Sequence, residues 1–187
     1  MSQQVLHLDF IGLRPETTQD QRSQLEDAAA DLLALDQVMD VGVLNADAGS
    51  DFDIAFLFLL PDFTDLEPFG TDPRYVRFLQ GSVAPVLRAF AGADVKLEDD
   101  LAIVDGAAAC LALIAPEETY DWEVRYALEA WAGAITGDAM AIGIAVGERQ
   151  QYRGACIAFG DGAPTAGKSD EGSFTATLIR GAARRLR

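Results

Sequence analysis

His7 is the single histidine of the chain, and Asp9 stands two residues after it in VLHLDFIGL. Along an extended segment, residues i and i+2 share one face. An imidazole near neutrality can act as a general base when a carboxylate orients it. A second stretch, GAPTAGKS at 162–169, fits the phosphate-cradling pattern G-x-x-x-x-G-K-[ST] through Gly162, Gly167, Lys168 and Ser169. One pair suggests proton transfer or the holding of a small oxygenated ligand; the other suggests phosphate binding. Each depends on the elements that position it.

Val5 to Leu13 reads as a strand, with Val5, His7, Asp9 and Ile11 on one face and Leu6, Leu8 and Phe10 on the other. Thr17 or Thr18 can cap a following helix whose Leu25, Ala28, Ala29, Leu32 and Leu33 recur at helical spacing. VMDVGVLNA is a second strand. FDIAFLFLLP is a third, apolar on both faces and therefore central in its sheet. A second helix from about Asp72 to Gly92 and a short strand around DVKLED complete a β-α-β-β-α-β unit. The remaining residues nearly repeat this order: CLALIAP, the helix YDWEVRYALEAWAGA, the pair AMAIGIAVGE and YRGACIAFGD, and FTATLIRGAARRLR as a terminal helix. The expected fold is thus α+β, two tandem ferredoxin-like units with antiparallel sheets. They span 1–99 and 100–187, and the second lacks its last strand. Trp122 and Trp131 lie on opposite sides of their helix, so one of them faces away from the core. Arg184, Arg185 and Arg187 would complement the dipole of the terminal helix.

This layout argues against the phosphate loop. Such a loop passes straight from a strand into a helix whose N-terminus faces the phosphates. Here Lys168-Ser169 is followed by Asp170-Glu171-Gly172, two carboxylates and a helix breaker. LAIVD at 101–105 imitates an acidic magnesium-holding strand but precedes the loop instead of following it. The stretch reads as a connection.

The 187 residues carry 30 acidic and 14 basic side chains, a net charge of −16. That field repels phosphate backbones and anionic lipid heads, which excludes nucleic acid and membrane surfaces as expected partners. Half the residues are hydrophobic, enough for a real core, but no run has the length of a membrane span. Cys110 and Cys156 sit in small apolar runs with no C-x-x-C spacing, and the N-terminus has no secretion-signal pattern. A reducing, cytoplasmic setting is expected. One histidine and two scattered cysteines give no basis for a His/Cys metal site, and no cofactor is indicated.

The first half, roughly Val5 to Asp99, resembles the stress-responsive dimeric α/β-barrel family. The resemblance rests on the histidine in VLHLDFIGL, on FDIAFLFL with its opening aromatic and acidic residues, and on DPRYVRF. Where that family commonly reads His-Pro-x-His-x-x-Phe, this chain has Asp72, Pro73, Tyr75 and Phe78, so both of those histidines are absent. The second half is similar only in element order. The resemblance implies two sheets enclosing a barrel with helices outside. A tandem chain would build it internally as a pseudo-dimer, with homo-oligomers as a further option. It also implies a cleft between sheet and helices that in some relatives holds a small apolar molecule. In one group a first-strand histidine and a tyrosine carry out a cyclisation.

The candidate site is accordingly His7 with Asp9 and Tyr75, a binding site for a small apolar or aromatic molecule before a catalytic one. A cyclase or lyase acting on a small ketone with His7 as base is the enzymatic alternative, and a non-catalytic structural or interaction module is the third. The Val5-His7-Asp9 face is expected to look into the space between the sheets, with Leu6, Leu8 and Phe10 packed under the helices.

Overall fold

The alternating apolar run Val5–Leu13 forms strand β1, and both of its faces are buried or nearly so. Helix α1, Gln19–Ala30, starts at a capping box. The Thr18 side chain accepts from the Gln21 amide while the Gln21 side chain accepts from the Thr18 amide. Strands β2 (Asp40–Ala46) and β3 (Ile54–Leu60) follow. Every residue of β3 is buried, as befits a strand flanked by β1 and β2 and covered on both faces. The computed structural model describes residues 3–114, 119–132, 139–146, 152–160 and 175–187.

The expected second helix is shorter and broken. It runs as α2 (Leu66–Thr71), α3 (Pro73–Arg77), a wide helical turn over Phe78–Val83 and a tight one ending at Val86. Asp72 separates α2 from α3, capping the Arg74 amide with Pro73 in the first turn. The chain then turns extended, so that β4 covers Leu87–Leu97, eleven residues where a short strand was expected. Its alanines suit a helix by propensity. Tertiary pairing overrides that preference, because Ala91, Ala93, Val95 and Leu97 all point into one core.

The second half supplies β5 (Gly106–Ile114), α4 (Asp121–Ala132), β6 (Ala139–Ala145), β7 (Gly154–Phe159) and β8 (Thr175–Arg185). The terminal segment is therefore a strand and not a helix, and the second unit does possess its last strand. Thr177, Ile179 and Ala183 are buried at alternate positions, a period of two that the helix-favouring Ala, Leu and Arg content obscures. Gly181 packs against the backbone carbonyl of Asn45 on β2, where a side chain has no room. Arg184 and Arg185 serve pairing across elements, and there is no terminal helix whose dipole they could complement. Arg184 meets Glu26, and Arg185 donates to Asp40 at 2.7 Å.

The strands close in the order β1-β3-β2-β8-β5-β7-β6-β4. Each half contributes four neighbouring strands, β4-β1-β3-β2 and β8-β5-β7-β6. Antiparallel seams join β2 to β8 and β4 to β6. In each seam the second strand of one half meets the fourth of the other, so the pairing survives exchange of the halves. Closure leaves no free sheet edge in the ring. Two cores result. One fills the barrel with Leu6, Leu8, Phe10, Leu57, Tyr152 and Ile179 among others, capped by Leu101 and Ile103 of the connecting segment. The other lies between the outer face of the first-half sheet and α1 to α3.

Helix α4 covers β6 and β7 through Val124 and Leu128, with Trp131 packed alongside and Trp122 exposed, the split that their spacing implied. Its seat depends on Gly154, whose missing Cβ would lie 2.9 Å from the Gly143 carbonyl oxygen and 2.9 Å from a Leu128 methyl. Gly154→Val should destabilise the protein by about 1–3 kcal/mol through overpacking. Urea unfolding checks this, and an unchanged midpoint would mean that α4 is not seated on β7. No helix among the described residues is long and apolar enough to cross a membrane.

Candidate functional site

The faces of β1 are the reverse of the sequence expectation. Leu6, Leu8 and Phe10 point into the barrel, whereas Val5, His7, Asp9 and Ile11 point outward under α2 and α3. Alternation shows that two faces differ, but both are covered in a closed barrel. Which one is internal follows only from the sense in which the sheet curls.

The three expected residues do come together. His7 opposes Phe58 on β3 and Asp94 on β4, and Asp9 lies one pleat along. Tyr75 descends from α3, and its hydroxyl donates to Asp9 Oδ2 at 3.0 Å. That same hydroxyl oxygen stands 2.8 Å from His7 Nε2. His7 Nδ1 contacts Asp94 Oδ1 at 2.5 Å, a charge-assisted hydrogen bond in which the ring nitrogen donates. Asp94 was not singled out from the sequence. Its signal was its place on the strand paired with β1, where the register sets it directly across from His7.

These contacts make one chain of hydrogen bonds, Asp94–His7–Tyr75–Asp9. Every donor and acceptor role in it is filled if both ring nitrogens carry protons. His7 Nε2 also lies 3.2 Å from Asp9 Oδ1, so the ring sits between two carboxylates. Burial works against the charged imidazole. The Asp9 charge, with hydrogen bonds to Asp9 and Asp94, outweighs it and pushes the pKa up from 6.5 to about 10. Burial and then the Asp9 charge raise the Tyr75 phenol far above its usual range, so it remains a neutral donor. Phe58, Phe69 and Tyr75 wall the imidazole, with ring centroids at 5.9, 5.3 and 5.5 Å.

Beside the open edge of this cluster lies a cleft of about 560 Å³ between the outer sheet face and the α2 region. Phe63, Leu66, Phe69 and Val146 supply its apolar walls. His7 and Asp94 stand at its floor, and Thr64 and Glu67 come from the helical side. Asp9 is fully buried and Tyr75 nearly so, and neither lines the cleft; both act on it through His7. Among the described residues, no group of three or more His, Cys, Asp or Glu is arranged to hold a metal ion. Gly162–Ser169 lies outside the described residues.

No protein-family model and no curated protein matches the sequence. Solved structures do match. An anthrone oxidase-like protein, 10% identical with a TM-score of 0.60, covers 100% of this chain and 94% of its own. A putative monooxygenase from Lactobacillus acidophilus NCFM is also 10% identical, with a TM-score of 0.58 over 100% of this chain and 95% of its own. A Dabb family protein with a ferredoxin-like fold from Mesorhizobium loti is 16% identical, with a TM-score of 0.45, and covers 54% of this chain and 100% of its own. At such identities the likeness concerns fold and not chemistry. The chain is a tandem ferredoxin-like protein whose antiparallel sheet closes into an α/β barrel.

Proposed function

We propose that this protein binds a small molecule with an apolar or aromatic body in the cleft between β1, β4 and α2, with the His7–Asp94 pair at its polar end. The observation that carries this reading is the cleft itself. Its volume of about 560 Å³ falls within the usual range for small-molecule sites, and it combines apolar walls with a few convergent polar groups. His7 faces the ligand, and Asp9 and Tyr75 hold its protonation and orientation. Residues 1–99 form the unit that carries the polar end of the site, and 100–187 form the unit that completes the barrel and adds Val146 to the cleft wall. Membership of the stress-responsive α/β-barrel group belongs to the same proposal; it rests on the sequence resemblance together with the shared fold. A cytoplasmic setting is inferred from two buried free cysteines.

Gly70 offers a clean test. It lines the cleft, is exposed, and an added Cβ meets nothing within 4 Å. Gly70→Trp should fill the space while leaving the melting temperature unchanged or slightly raised, since glycine is a poor helix former. A panel of small aromatic compounds should give a saturable rise in melting temperature with the native protein and none with Gly70→Trp. If no compound shifts the native protein, or if the shift survives the substitution, the cleft is not the site. His7→Ala is the poorer probe, because it strands the fully buried Asp9 without its charge partner.

The ordered proton chain favours one second reading, a lyase or cyclase acting on a small ketone. The roles then differ from those the sequence suggested. An imidazole with a pKa of about 10 is protonated at neutral pH and supplies a proton, which leaves Asp94 as the base. Product formation that is lost in Asp94→Asn would favour it over simple binding.

A further inference from the structure

We propose that the outward face of α4, with Trp122 and Tyr126 at its centre, docks an arginine-rich segment of another protein.

Helix α4 buries Val124 and Leu128 completely against β6 and β7. Trp122 and Tyr126 stand on the opposite side, 67% and 71% exposed, and their spacing of four residues makes them neighbours one turn apart. Tyr120, also exposed, precedes the helix. A helix that only covers a sheet places polar residues on its solvent side. Helix α1 of the same chain does so, with Gln19, Asp20, Gln21, Ser23, Gln24 and Asp27 at its exposed positions. The two rings of α4 break that rule and belong to no core cluster among the described residues. Large aromatic side chains of this kind are the anchors around which protein interfaces are built.

Charge and area select the occupant. Together the two rings expose roughly 300 Å², enough to seat a short segment but well below the about 800 Å² per partner that a stable dimer buries. A second copy would also bring the same net charge of −16 and be repelled. Glu123 and Glu129 flank Tyr126 three residues to either side, the spacing of neighbours on a helix surface. Arg125 is held between Glu98 and Glu129, 2.8 Å from each, so its charge is answered within the molecule. Aromatic rings beside carboxylates suit a guanidinium, which stacks on the rings and forks onto carboxylate oxygens as an ammonium does not. The field of the whole chain draws a basic segment in, and the rings fix where it settles.

Fluorescein-labelled peptides of four Arg-Gly-Gly, Lys-Gly-Gly or Glu-Gly-Gly repeats, titrated with the full chain at about 0.1 M salt and followed by anisotropy, test this. The arginine repeats should bind at least about threefold more tightly than the lysine repeats, and the glutamate repeats should not bind. Replacing both rings, Trp122→Ser with Tyr126→Ser, leaves every charge in place. Both residues are exposed, so the urea midpoint should hold while the affinity for the arginine repeats falls at least about tenfold. Should that variant unfold, Tyr126→Gln alone carries the same test, with a loss of at least about threefold expected. Arginine repeats that do not bind, lysine repeats that bind equally well, or an affinity unchanged by removal of the rings would overturn the proposal, the last by showing only diffuse attraction to an acidic chain. In sedimentation the native protein should show no dimer that depends on these rings. A dimer abolished by the double replacement would make the face a contact between copies and overturn the proposal as well.

Discussion

Phe58→Ala should lower the stability of the protein by about 3–5 kcal/mol, the range for deleting a fully buried aromatic side chain. Phe58 is 0% exposed on the central strand β3. Its ring lies 5.3 Å from Phe69, 6.0 Å from Tyr75 and 6.1 Å from Phe78, so it faces α2, α3 and the wide turn that follows them. Those neighbours are anchored on a rigid sheet and cannot all collapse into the void, which places the cost toward the upper part of the range. The same ring walls His7, so the substitution also removes one side of the imidazole's packing. Phe58→Leu retains most of the volume and should lose about 1–1.5 kcal/mol. Urea unfolding measures both variants. A loss below about 1 kcal/mol for the alanine would mean that α2 and α3 are not packed on this face.

The second large effect is on pH dependence. Folding raises the His7 pKa from 6.5 to about 10, so the native state binds the proton more tightly than the unfolded chain does. The resulting stabilisation is present in full below about pH 6.5 and is lost progressively as pH rises through about 10. Its size is on the order of 2–4 kcal/mol for a shift of this kind in a mostly buried group. Burial also pushes the Cys110 and Cys156 thiols up, and these groups lose stability in the same direction above the ordinary thiol range. The contribution of His7 is therefore read as the difference between the native protein and His7→Gln, which should be flat across the lower part of that window. The chain has one histidine, so its imidazole NMR signals need no further assignment. They should stay constant from pH 5 to about 8 and move only as pH nears 10. A midpoint near 6.5 would show that the two carboxylates do not clamp the ring.

Much of the architecture could be read from residues alone. Thr17 or Thr18 marked the start of α1, where the structure selects Thr18, and the continuous apolar run of β3 marked a central strand. The repeated element order marked two units. In the first two cases the information is local, held in side chains a few residues apart or in one uninterrupted apolar run.

What the sequence determined by itself about this protein is β1 to β3 and α1, the tandem order of two units, and the fact that His7 and Asp9 share a face. Tertiary structure decided the rest. Leu87–Leu97 and Thr175–Arg185 became strands although their alanines, leucines and arginines are good helix formers. Each is hydrogen-bonded on both sides, to β1 and β6 and to β2 and β5, and that pairing outweighs a propensity difference of a few tenths of a kcal/mol per residue. The direction of the His7 face was equally undetermined, because closing the sheet buries both sides of β1 and removes the polar–apolar contrast that would distinguish them. Asp94 joined the site through the β1–β4 register, a pairing between residues 87 positions apart. No local pattern encodes that juxtaposition. It exists only once the barrel has closed, and with it comes the proton held on His7.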